Sequence, residues 1–189
     1  DIAGVVSIPW LGEDTEHIIK QLFHALNKIG PQYGIWRLFV GSPDDRSNQK
    51  WIQSVFAKLP FCKVTPADEQ YRQFLLKAKT AIIYGGYNSL TDVFYANIPA
   101  VVLLRGMQDE EQQAHMTQLS FLNRDRLTTC NAKDVKGEEL AKVLIRQLCS
   151  STLPKPEVNL EGAGMAAKYL FEIVTKQNYT ACHNNVPKI

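Results

Sequence analysis

Two loops of this 189-residue chain carry side chains in patterns suited to holding an anion and a sugar. The first is Tyr84-Gly85-Gly86-Tyr87-Asn88-Ser89, where two glycines, an amide and a hydroxyl lead into a helical segment with no acid until Asp92. Glycines let backbone N–H groups approach an anion closely, and an unneutralised helix start adds roughly half a positive charge. Gly85, Gly86, Asn88 and Ser89 are therefore candidate phosphate ligands, and Asp92, one turn further on, is a candidate acceptor for a ribose diol. A plain tight turn with an Asn or Ser cap accounts for the same residues without any ligand. The second loop runs Arg105-Gly106-Met107-Gln108-Asp109-Glu110-Glu111-Gln112-Gln113, with His115 following. Asp109, Glu110 and Glu111 suit a helix start, while Gln112 and Gln113 offer two amides that can bind sugar hydroxyls without adding charge. His115 has the chemistry of a base, but with no partner evident in the sequence it reads more readily as a surface or packing residue.

Other polar clusters read differently. In Pro9-Trp10-Leu11-Gly12-Glu13-Asp14, followed by Glu16, the carboxylates satisfy the start of the next helix themselves and would repel a phosphate. Asp44-Asp45, after Gly41-Ser42-Pro43, has the look of a metal-binding acidic pair, yet lacks further ligands nearby and reads as a solvated turn. Cys62, Cys130, Cys149 and Cys182 are spaced too widely for a zinc cluster and are expected as free thiols in a reducing cytoplasm. No metal site and no cofactor is predicted.

Loops can hold a ligand only if a scaffold brings them to one edge. Ile2 to Ile8 is an apolar, β-branched run, and Asp14 to Ile29 repeats apolar residues near the helical period. Further strands are predicted at Ile35 to Val40, Phe61 to Val64, Thr80 to Tyr84, Ala100 to Leu104 and Arg126 to Thr129. Helices are predicted at Asn48 to Lys58, Asp68 to Lys77, Ser89 to Ala96, Glu110 to Leu122, Lys133 to Leu148 and Glu161 to Lys176. Short apolar strands alternating with amphipathic helices specify an α/β domain, a Rossmann-like doubly wound parallel sheet of about six strands with helices on both faces. Ligands of such sheets bind outside the carboxyl ends of the strands, where both candidate loops fall. Residues 1–177 are assigned to this domain and 178–189 to a loose tail, with Ser150 to Pro156 a turn-rich joint before the last helix.

Composition sets outer limits. Twenty-one basic and nineteen acidic residues leave a net charge of +2, which gives no support for a nucleic-acid partner. The 45% hydrophobic and 21% charged fractions exclude a mainly disordered chain. No apolar run approaches the roughly 18 residues of a membrane span. The amino end has no basic region followed by an apolar stretch, so no secretion signal is expected, the location is read as cytoplasmic, and Asn178-Tyr179-Thr180 is read as a chance glycosylation match. Because Asp1 leads into a strand at once, the chain reads as cut from something longer.

The stretch from Ile82 to Asp92, then Asn97-Ile98-Pro99-Ala100-Val101-Val102-Leu103-Leu104-Arg105, then Glu110-Glu111-Gln112, resembles the carboxyl-terminal domain of GT-B glycosyltransferases of the MurG type, glycosyltransferase family 28. That family has a GGYNT-like segment, an acid shortly after it, a small residue and proline before a strand, and an EQ or QQ pair opening the next helix. The resemblance implies a nucleoside diphosphate sugar as ligand, a UDP-sugar first, whose glycosyl group goes to an acceptor hydroxyl. Gly85, Gly86, Asn88 and Ser89 match the phosphate-facing turn, and Glu111, Gln112 and Gln113 match the donor-sugar contacts. Asp92 stands where the family has a ribose-gripping glutamate, and the loop Thr65-Pro66-Ala67-Asp68 matches the region whose backbone reads the base. The first loop departs, with Pro9-Trp10-Leu11 in place of glycines. In such enzymes the acceptor and the general base come from an amino-terminal domain, so the catalytic base is expected there or on a separate acceptor subunit. Any membrane contact is likewise expected through that other part. A nucleotide-sugar hydrolase on the same scaffold, or a non-catalytic binding module or partner subunit, are the alternative readings.

Overall fold

The computed structural model describes residues 1–9, 11–105, 116–119, 123, 126–150, 153, 158 and 161–183, with the backbone path alone at 163 and 174–183. The chain forms two compact units, Asp1–Glu157 and Val158–Ile189. In the first, β1 (Ile2–Ile8), β2 (Ile35–Val40), β3 (Cys62–Thr65), β4 (Ala78–Tyr84), β5 (Ala100–Leu104) and β6 (Leu127–Asn131) build one sheet in the order β3-β2-β1-β4-β5-β6. Every neighbouring pair is parallel, so the sheet is the doubly wound one that the alternation of elements predicts. The winding reverses between β1 and β4, which makes the carboxyl ends of those two strands the topological switch point.

Helices α1 (Thr15–Ile29), α2 (Arg46–Phe56), α3 (Tyr71–Leu75), α4 (Tyr87–Ala96) and α5 (Gly137–Cys149) cover the sheet. Contacts join α1 to α2 and α5, and separately α3 to α4, giving a layer against each face. The central strands are accordingly buried on both sides: Ala3 to Ile8 of β1 and Ala100 to Leu103 of β5 are all buried, whereas the edge strands β3 and β6 each keep residues exposed. Trp36, fully buried, lies over Gly4, where an added Cβ would meet the indole ring at 2.3 Å. The pairing of β1 with β2 shifts by a residue between Ile2 and Gly4, which sets that glycine opposite Trp36. Thr80 Oγ1 donates to Gln147 Oε1 at 2.7 Å, a buried polar tie from β4 to α5.

Several elements differ from their sequence expectation by two or more residues, and three of them bear on the site or the domain bounds. The helix expected from Asp68 to Lys77 covers only Tyr71–Leu75, because β4 begins at Ala78 to pair with Ile2 and takes the following residues into the sheet. Helix α4 starts at Tyr87, two residues early, so Asn88 and Ser89 lie inside its first turn. The helix expected from Glu161 to Lys176 is α6 (Gly162–His183), the main element of the second unit, and includes residues 178–183 of the stretch assigned to the tail. No helix among the described residues is long and apolar enough to cross a membrane.

Candidate functional site

The turn between β4 and α4 leaves the sheet at the switch point. Gly86 is the N-cap of α4, with φ −78° and ψ 146°, and no side chain caps the helix. The first helical bond runs from Leu90 N to Gly86 O at 3.1 Å, so the amides of Tyr87, Asn88 and Ser89 precede any intrahelical acceptor. No acid occupies that first turn, so the positive end of the helix is not neutralised from within. The two glycines serve different ends. A Cβ on Gly85 would lie 2.9 Å from Leu104 Cδ2 and 3.4 Å from Val102 Cγ1, so a side chain there would have to displace the Leu104 end of β5. A Cβ on Gly86 would meet nothing within 4 Å. The space in front of this backbone is therefore open.

Asp92, in the next turn of α4, has its side chain 20% exposed and pairs with Arg72 Nε of α3 at 3.3 Å. Sequence reading missed this partner, since nothing in the spacing of Arg72 and Asp92 announces that α3 packs beside α4. Burial pushes the neighbouring Tyr71 phenol well up from its ordinary value, with the Asp92 charge adding to the shift. Pro66 follows β3, and the next residue, Ala67, donates its N–H to Gly41 O at 3.0 Å, tying that loop to the end of β2. Pro66 thus shares the carboxyl edge with the Gly85–Gly86 turn but stands three strand intervals from it, about 14 Å at ordinary spacing.

A second cluster spans the switch point itself. Arg105, directly after β5, lies over the ring of Tyr84 at 4.3 Å from its centroid and donates from Nη2 to the Tyr84 hydroxyl at 3.0 Å. The same Nη2 is 3.7 Å from Asp14 Oδ1, at the start of α1. Burial pushes the Tyr84 phenol up, and the Arg105 charge opposes that shift. The first loop is closed on itself: Gly12 N donates to Thr15 Oγ1 at 2.6 Å and Thr15 N to Gly12 O at 3.0 Å. Asp14 makes no side-chain cap bond, so of the acids expected to satisfy this helix start it is Glu16 that stands in the first turn. The backbone of Asp14 is helical, at φ −84° and ψ −4°, and its carboxylate faces Arg105.

No family model and no curated protein matches the sequence. Solved structures do match by shape. MurG of Acinetobacter baumannii aligns at a TM-score of 0.59 and 17% identity, over 78% of this chain and 41% of that one. The glycosyltransferase VinC in complex with DTDP aligns at 0.56 and 12%, over 79% of this chain and 34% of that one. Methanocaldococcus jannaschii UDP-GlcNAc 2-epimerase, in complex with UDP-GlcNAc and UDP, aligns at 0.60 and 12%, over 91% and 46%. The fold is that of a GT-B domain. The chain spans less than half the length of each of these proteins, and the match fits the carboxyl-terminal domain of that architecture.

The remaining expectations concern other residues. Glu111, Gln112, Gln113 and His115 lie outside the described residues. A cavity of about 540 Å³, lined by Leu11, Gly12, Glu13, Asn48 and Trp51 among others, opens beside the ends of β1 and β2. Its lining includes Glu13 and Glu16, whose charges oppose a phosphate. Asp45 is the N-cap of α2, accepting from Asn48 N at 3.2 Å and Asn48 Nδ2 at 2.7 Å, so this member of the acidic pair serves the helix. Cys62, Cys130 and Cys149 are free thiols, and burial pushes the first two up to about 12 and about 11.

Proposed function

We propose that this GT-B domain is the donor-binding half of a glycosyltransferase and holds a nucleoside diphosphate sugar, a UDP-sugar first, at the carboxyl edge of its sheet. The start of α4 carries the reading: three successive amides without intrahelical acceptors, no acid beside them, and open space at Gly86, all at the switch point. The nucleotides bound to VinC and to the epimerase support it, since both are nucleoside diphosphates or their sugars on this fold. Gly85, Gly86, Asn88 and Ser89 would take the diphosphate and Asp92 the ribose. The Pro66 loop would face the base, and Glu111, Gln112 and Gln113 the sugar.

In the transfer, the acceptor oxygen bonds to the anomeric carbon as the bond from that carbon to the diphosphate oxygen breaks. The electron pair leaves with the diphosphate, and the acceptor proton passes to a base outside this domain. Amides and a helix end already aimed at the leaving group stabilise its growing charge without reorganising. The acceptor and the base belong to an amino-terminal domain or a separate subunit, so this chain alone binds the donor without transferring it. The reading places the chain in the cytoplasm, with any membrane contact made by the other half.

The likeness to a 2-epimerase favours keeping a second reading, in which a UDP-sugar is processed without an acceptor, as in a hydrolase. Sugar release from UDP-GlcNAc in the absence of any acceptor distinguishes that reading. Calorimetric titration with UDP-, TDP- and GDP-sugars at millimolar concentration tests the first: one class should bind, and silence from all of them sinks the donor site. His115→Ala should leave the binding unchanged.

A further inference from the structure

A nucleoside diphosphate brings two or more negative charges to the switch point, and the start of α4 offers the equivalent of about half a positive one. The loop across the crevice adds none. Its Gly12 amide is spent on Thr15 Oγ1, its Thr15 amide on Gly12 O, and it carries Glu13 and Asp14. Among the described residues, Arg105 is a cation placed at the switch point itself. Arg105 leaves the end of β5, crosses the end of β4 and reaches the start of α1, so its guanidinium spans the ends of three adjacent strands. It stacks on Tyr84, the residue directly before the Gly85–Gly86 turn. That stacking and the bond to the Tyr84 hydroxyl fix the plane of the guanidinium, and 26% of the side chain stays exposed.

We propose that Arg105 is the side-chain cation that receives the donor diphosphate, with Asp14 holding its place when no donor is bound. This assignment rests on the donor-site reading above and names its charged ligand. The Arg105–Asp14 separation of 3.7 Å is too long for a hydrogen bond. A phosphate oxygen at ordinary distance makes the stronger, charge-assisted contact, and the planar fork of an arginine suits two such oxygens at once. Asp14 is dispensable as a cap, because its side chain makes no bond to the helix it precedes. An arginine that trades a carboxylate for a diphosphate selects ligands by their phosphate charge. The α4 turn, the Pro66 loop and Asp92 are left to choose the nucleoside.

The test is calorimetry with UDP, TDP, GDP and ADP on the wild-type chain, Arg105→Ala and Asp14→Asn, with thermal melts of all three. Arg105→Ala should weaken the best diphosphate by at least about tenfold, as expected for a lost charged hydrogen bond. Asp14→Asn should tighten it several-fold by removing the competing charge, a gain that damage to the fold cannot mimic. If Arg105→Ala fails to fold, Asp14→Asn decides. A wild type that binds a diphosphate, with Asp14→Asn no tighter or Arg105→Ala within twofold, overturns the assignment and leaves the donor site standing. A wild type that binds none of the four overturns both.

Discussion

At the scale of single residues, the two glycines of the α4 turn separate a folding role from a binding role. Gly85 is pressed against Leu104 and Val102, whereas Gly86 faces open space at an extended φ that any residue adopts. Gly86→Val, at an N-cap, should lower the melting temperature by only a few degrees while abolishing nucleotide binding, and Gly85→Val should lower the melting temperature further. Parallel melts and titrations of the two variants check this. Asp92 gives a second residue-scale outcome. Its partner Arg72 is 72% exposed, so their ion pair is worth no more than about 1 kcal/mol to the fold. Asp92→Ala should cost little stability, yet weaken a nucleotide by roughly tenfold if the carboxylate takes the ribose diol. An Asp92→Ala chain that binds as the wild type does would remove the ribose from this residue. The glycines and the acid are legible in the sequence because they are consecutive or one turn apart. Arg72 and the Arg105–Tyr84–Asp14 cluster are not, since each joins elements distant along the chain and exists only once the sheet order is known.

At the scale of elements, the strands are read from sequence almost residue by residue where they are central. β1, β2 and β5 coincide with Ile2 to Ile8, Ile35 to Val40 and Ala100 to Leu104, because strands covered on both faces appear as mainly apolar runs, interrupted here by Ser7 and Arg37. α3 shows where that legibility ends: pairing of Ala78 with Ile2 overrides the helical pattern of its flanks. The close fit of β1 to β2 makes a stability prediction. Gly4→Ala forces a methyl into the indole of Trp36 and should cost about 1–3 kcal/mol, read as a lower midpoint in urea. Helix caps make another. The Asn48 side chain, then its backbone amide, hold the Asp45 carboxyl below its usual range. The stability it contributes is fully present above the unfolded value of about 3.9 and is lost as pH falls through the lower folded one. Asp45→Asn keeps a capping oxygen but cannot titrate, so melts between pH 7 and pH 3 should show a smaller acid-side fall than the wild type.

At the scale of the whole molecule, a sheet wound both ways places the α4 turn, the Pro66 loop and Arg105 at its carboxyl edge, with Arg105 on Tyr84, the residue before the α4 turn. The fold class follows from the alternation of apolar runs and helices. The partition of labour does not, because a GT-B domain presents half of a cleft, and the sequence here aligns with less than half of each structural neighbour. The chain alone should bind a nucleotide sugar and release no glycosylated product, and product formation should require the other half added in trans or fused. Transfer by this chain alone, followed by mass spectrometry of candidate acceptors, would contradict that division. The central claim is the position of the diphosphate. Backbone amide NMR of the chain titrated with UDP tests it most directly. The largest shifts should fall on Gly86, Tyr87, Asn88 and Ser89; shifts centred instead on Gly12, Glu13, Asn48 and the Trp51 indole would move the site to the cavity beside β1 and β2 and contradict the account.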